Sequence, residues 1–70
     1  MPLSTIGRIE RETLAERVAT ALKRHILVQG LSPGDQLPSE RDLAETFDVS
    51  RNVIREALRT LVAQGYIEKE

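Results

Sequence analysis

Apolar positions fall into a helical rhythm at several places along this chain, and the densest stretch organises the rest. Between Leu37 and Gly65 the sequence reads LPSERDLAETFDVSRNVIREALRTLVAQG. Leu43, Ala44 and Phe47 recur at i, i+1 and i+4, which gives a short helix one apolar side. Ser39 stands before it with Asp42 three residues on, the spacing of a capping box. Asp48-Val49 leaves room only for a turn, and Ser50 is a favourable N-cap for a second helix. In that second helix, expected over about 51–64, Val53, Ile54, Ala57, Leu58 and Leu61 fall within roughly 140° of one another on a helical wheel. The far side of that wheel carries Arg51, Asn52, Arg55 and Arg59. Two helices joined by a tight turn, the second presenting basic and amide side chains, form the pattern of a helix-turn-helix that reads DNA.

The rest of the chain supports that unit. Thr13, with Glu16 at capping-box spacing, opens an earlier helix whose stripe reads as Leu14, Val18, Ala21, Leu22 and Ile26, and Gly30 closes it. This helix should lie across the other two, because neither of them can bury its apolar side alone. Arg11, Arg17, Lys23 and Arg24 sit mostly off the stripe and read as a solvated face. Residues 1–12 have no helical period, and Pro2 and Gly7 mark them as an arm ahead of one domain over 13–70. Leu31 to Pro38 is a turn segment in which Pro33-Gly34 suits the centre of a type II turn. Asp35-Gln36-Leu37 is expected to be a very short strand that ends at Pro38. Its only candidate partner is the tail Tyr66 to Glu70, which alternates apolar and polar after Gly65 stops the third helix. That tail reads as the first strand of a hairpin without its return strand.

Composition narrows the function. The 70 residues make one small domain, which buries only about 60% of the surface of its unfolded chain. The absence of cysteine excludes a disulfide framework and a thiolate zinc site, and favours a reducing compartment. No apolar run approaches the roughly 20 residues of a membrane span, and the polar start MPLSTIGRIER is no signal peptide, so a cytoplasmic protein is expected. One phenylalanine, one tyrosine and no tryptophan argue against stacking platforms for single-stranded nucleic acid. The net charge of -1 counts against a nucleic-acid binder, which is usually basic. Its distribution restores the case. Asp35, Glu40, Asp42, Glu45 and Asp48 surround the lone Arg41, whereas from Ser50 to Ala63 Arg51, Arg55 and Arg59 face only Glu56.

Each side chain on the second helix of the pair has a chemistry suited to a duplex. Ser50 caps the helix and can also donate its hydroxyl to a phosphate, where the first-turn amides favour the same anion. Arg51 and Arg55 lie one turn apart, and a guanidinium matches guanine O6 and N7 bidentately. The plain alternative for Arg55 is a surface ion pair with Glu56 or Asp48. Asn52 can pair with adenine N6 and N7 or with a phosphate. Val53 lies in the reading stretch but on the apolar side, so core packing is equally open to it. Arg59 is placed further along to meet backbone or solvent, Ser39 caps and can reach a phosphate, and Arg41 either contacts DNA or pairs with Glu45 one turn on. Enzyme readings fail: His25 is the only histidine and reads as a core-edge residue, and the four scattered glycines spell neither GxxxxGK[ST] nor GxGxxG.

The run PGDQLPSERDLAETFDVSRNVIREALRTLVAQGYIE resembles the N-terminal domain of GntR-family bacterial transcription regulators, most closely the FadR-like subfamily. The matched pieces are Pro33-Gly34-Asp35, Leu37-Pro38-Ser39-Glu40-Arg41, Val49-Ser50-Arg51, Arg55-Glu56-Ala57-Leu58, Leu61 and Gly65, in unbroken register from Leu14 to Glu68. The resemblance implies a mostly α, winged helix-turn-helix fold of three helices with a small β-hairpin, the wing, here truncated. It also implies sequence-specific binding of double-stranded DNA in the major groove as half of a homodimer. Arg41, Arg51 and Arg55 match positions the family uses on DNA, whereas Asn52 falls at a variable position and would help to set which operator is read. A larger C-terminal domain that binds a small effector is implied for the parent regulator and lies outside this chain, which therefore reads as one domain of a longer protein. No cofactor and no catalysis are expected. The competing reading is a winged-helix protein-interaction module whose arginine face meets an acidic partner.

Overall fold

The computed structural model describes residues 12–68. Among them lie three helices, α1 (Leu14–Gln29), α2 (Glu40–Phe47) and α3 (Arg51–Ala63). The sequence signals for their starts hold. Thr13 and Glu16 form a complete capping box: the Glu16 N–H donates to Thr13 Oγ1 at 3.0 Å and the Thr13 N–H donates to Glu16 Oε1 at 2.8 Å. Ser39 and Ser50 accept from the backbone N–H groups of Asp42 and Val53 at 3.1 and 3.2 Å. At Ser39 the box is one-sided, because aspartate at the third position is a methylene shorter than the glutamate that closes the ring in α1.

All three helices end alike. A residue with positive φ follows the last turn, and the next N–H reaches back five residues: Leu31 to the Ile26 carbonyl, Val49 to the Ala44 carbonyl and Tyr66 to the Leu61 carbonyl, each at 3.0 Å. This is the Schellman arrangement, which satisfies carbonyls that the helix leaves open. Gly30 (φ 68°) and Gly65 (φ 84°) occupy two of the left-handed positions, and Asp48 (φ 57°, ψ 50°) occupies the third. Aspartate tolerates this region better than most side-chain-bearing residues do.

α3 is the central element and packs on both other helices. Its Ile54 and Ala57 are fully enclosed and Leu61 is 1% exposed. α1 supplies Val18, Ala19, Leu22 and Ile26 to this core, and α2 supplies Leu43 and Ala44. Leu31, Leu37, Phe47, Val49, Val53, Leu58, Tyr66 and Ile67 seal its rim. Burying each large aliphatic side chain contributes about 1.5–3 kcal/mol, so this shared aliphatic core holds the three helices together.

The stripe expected on α1 is displaced by one residue. Leu14 is 50% exposed and Ala21 is exposed, whereas Ala15 and Ala19 are buried beside Val18, Leu22 and Ile26. Ala19 joins Val18, Leu22 and Ile26 in the core shared with α3, and an alanine weighs little in a hydropathy pattern. His25 is exposed on α1 rather than at the core edge.

No strand forms among the described residues. The turn at Ser32–Asp35 does form: the Asp35 N–H donates to the Ser32 carbonyl at 3.0 Å, Gly34 takes φ 96°, and the Ser32 N–H donates to Asp35 Oδ2 at 2.7 Å. Asp35–Leu37 and Tyr66–Glu68 carry no ladder, although they run close together. A Cβ on Gly34 would stand 3.2 Å from Glu68 Oε1. Segments this short have too few hydrogen bonds between them to hold a ladder. What fixes the tail is its side chains, with Tyr66 and Ile67 against the core and Lys23 Nζ 5.6 Å from the Tyr66 ring centroid. The expected arm up to Arg11, and Lys69 and Glu70 of the expected strand, lie outside the described residues.

Candidate nucleic-acid interface

The buried side of α3 fixes what its other side presents. With Ile54, Ala57 and Leu61 locked into the core, the helix has one rotational setting, and Arg51, Asn52, Arg55 and Arg59 are all exposed. At helical spacing these four lie within roughly 100° of one another. Ser50 and Ser39, at the N-caps of α3 and α2, are exposed too, as is Arg41. Both cap hydroxyls accept a backbone N–H, which leaves each O–H proton available as a donor. Val53 is half-buried and packed against the core. It contributes an edge to this face, not its centre.

One polar network crosses the turn. Arg55 Nε donates to Glu40 Oε1 at 3.2 Å, and Arg55 Nη1 donates to Asn52 Oδ1 at 3.2 Å. The ion pair is well exposed, with side-chain exposures of 51% and 37%, so water screens it and its share in stability is small. In this structure it turns the Arg55 guanidinium toward the start of α2. The acids that sequence proximity offers to Arg55, Glu56 and Asp48, are not its partners, and Arg41 does not pair with Glu45: Arg55–Glu40 is the one salt bridge among the described residues. Glu40 lies fifteen residues before Arg55. Only the folding of α2 onto α3 brings them together, and no local spacing signals it.

An open groove runs beside this network, lined by Glu40, Arg55, Leu58, Arg59, Ile67 and Glu68 among others. Its mouth carries both signs of charge. The described residues contain no group of three metal-ligating side chains, and no helix among them is long and apolar enough to cross a membrane.

Comparison with known proteins gives this geometry a context. Residues 14–70 match the family model described as bacterial regulatory proteins, gntR family. Among similar curated proteins, the transcriptional regulator Mce2R of Mycobacterium tuberculosis is 42% identical, over 86% of this chain and 25% of its own length. The transcriptional repressor NanR of an Enterobacter strain is 39% identical, over 91% of this chain and 27% of its own. The repressor PhnF of Mycolicibacterium smegmatis is 42% identical, over 93% and 26%. The chain thus spans about a quarter of the length of these relatives. No solved structure matches it at a significant level. The three helices with their tight turn, the family match and the helix-turn-helix regulators among the relatives agree: the chain belongs to the gntR family of bacterial regulatory proteins.

Proposed function

We propose that α3 enters the major groove of double-stranded DNA and reads an operator through Arg51, Asn52 and Arg55. Ser50 and Ser39 meet phosphates at the two helix starts, Arg41 reaches the backbone across the groove, and Arg59 extends the contact along the strand. Val53 borders the contact. The observation that carries this reading is the clustering of Arg51, Asn52, Arg55 and Arg59 on the exposed side of a helix whose other side is anchored in the core by Ile54, Ala57 and Leu61. A helix presented in this way fits the major groove, and arginine is the side chain best suited to guanine edges and phosphates. In the parent protein, residues 13–70 act as the DNA-reading domain of a FadR-like, effector-controlled cytoplasmic regulator that binds as a homodimer, with no catalytic step in this domain.

Salt and base sequence together test it. Duplex affinity should fall with salt at a log–log slope of about −0.9 per phosphate neutralised. Arg51→Ala should cost roughly 1–3 kcal/mol on the preferred site and relax discrimination at one base pair. Equal affinity of Arg51→Ala and the parent chain for that site would remove Arg51 from the reading face. Binding that ignores both salt and base sequence would instead favour a protein partner.

A further inference from the structure

The Arg55 network constrains what the reading face can recognise. A guanidinium has donors only, so the atom of Asn52 facing Arg55 Nη1 at 3.2 Å must be the carbonyl oxygen. With one lone pair of that oxygen turned to Arg55, the NH2 is the end of the Asn52 amide that has no partner among the described residues. Arg55 is itself held at Nε by Glu40, and Glu40 is the first residue of α2. Two of its five N–H donors are thereby spent within the protein, and those of Nη2 and the second of Nη1 remain for a ligand.

We infer that Glu40 is a positioning residue for Arg55, and that Asn52 meets DNA through its NH2 group alone. The exposed side of α3 then offers donors: the guanidinium of Arg51, the amide of Asn52 and the free edge of Arg55. Such a face selects base edges rich in acceptors, the O6 and N7 of guanine, the N7 of adenine or the O4 of thymine. It does not use the bidentate adenine contact, in which the asparagine carbonyl must accept from N6. Glu40 adds specificity at a cost in general affinity, since a carboxylate beside the reading helix repels phosphates while it fixes the angle of Arg55. This inference rests on the proposed DNA-reading role and sharpens it.

The experiment uses the whole 70-residue chain and a preferred site selected from a randomised duplex pool. Arg55→Ala comes first: if it binds that site as the parent chain does, DNA reading by Arg55 fails and this inference falls with it. If Arg55 matters, Glu40→Ala and Glu40→Gln are compared on the site and on its single-base-pair variants, with folding checked by circular dichroism. Glu40→Ala should lower discrimination at the Arg55 base pair by about tenfold, the scale of one bidentate contact, while binding of unrelated duplex rises. Glu40→Gln keeps an acceptor for Nε and should restore most of the discrimination. Full discrimination in a folded Glu40→Ala variant would reduce Glu40 to a tie between helices. For Asn52, each adenine in the site is replaced by purine, which lacks the N6 amine. No such replacement should cost affinity through Asn52. A loss of tenfold or more in the parent chain that disappears in Asn52→Ala would show the carbonyl accepting from N6, and would overturn the donor-only assignment.

Discussion

Ser50 serves the fold and the proposed interface with one hydroxyl. Its Oγ accepts the Val53 N–H at 3.2 Å, and its O–H proton remains available to donate to a ligand. Ser50→Ala should therefore cost about 1 kcal/mol of stability in a chemical denaturation curve and weaken duplex binding as well. Ser50→Asp would keep the cap and repel phosphate, so it separates the two roles: stability near the parent value with binding lost. Ile54 bears on the fold alone. It is fully enclosed on the side of α3 opposite the arginines, and Ile54→Ala should cost about 2–5 kcal/mol, enough to unfold much of a domain this small at 37 °C. A circular-dichroism melt close to that of the parent chain would mean that α3 does not anchor the core.

At the scale of elements, what was legible in the sequence is what local chemistry decides. Thr13, Ser39 and Ser50 announce the three helix starts because capping acts over three residues. Gly30 and Gly65 announce two of the ends. The buried and exposed sides of α3 were readable because its large aliphatic and basic residues are cleanly segregated. The face of α1 was legible at Val18, Leu22 and Ile26 but not at its edge, since the buried Ala15 and Ala19 give little periodic contrast. Glu40 as the partner of Arg55 was equally hidden, being a product of tertiary packing across fifteen residues. No strand forms among the described residues, because alternation alone does not supply a ladder. The turn between α2 and α3 gives a prediction of its own. Asp48 holds φ 57° at the end of α2, where glycine has no steric penalty, so Asp48→Gly should be neutral or stabilise by up to about 1 kcal/mol. A rise or no change in the denaturation midpoint fits this; a drop of that size would mean the Asp48 side chain contributes more than its backbone costs.

Across the whole molecule, charge is sorted and not merely summed. A chain of net charge -1 presents a basic edge on α3 and an acidic one on α2, and the local field decides what approaches. Glu56 is the acid nearest the arginine face on the helical wheel, and it is exposed. Glu56→Gln should raise affinity for unrelated duplex at low salt, and the gain should fade as salt screens it. The central claim is that the exposed side of α3, together with the starts of α2 and α3, forms one DNA-contacting surface. An amide NMR titration of the chain with a short duplex at low salt tests it most directly. Shifts gathered at Ser39 to Arg41 and Ser50 to Arg59, weakening together as salt is added, are the expected result. Shifts confined to α1 and the tail beyond Gly65, or none at all at saturating duplex, would contradict it.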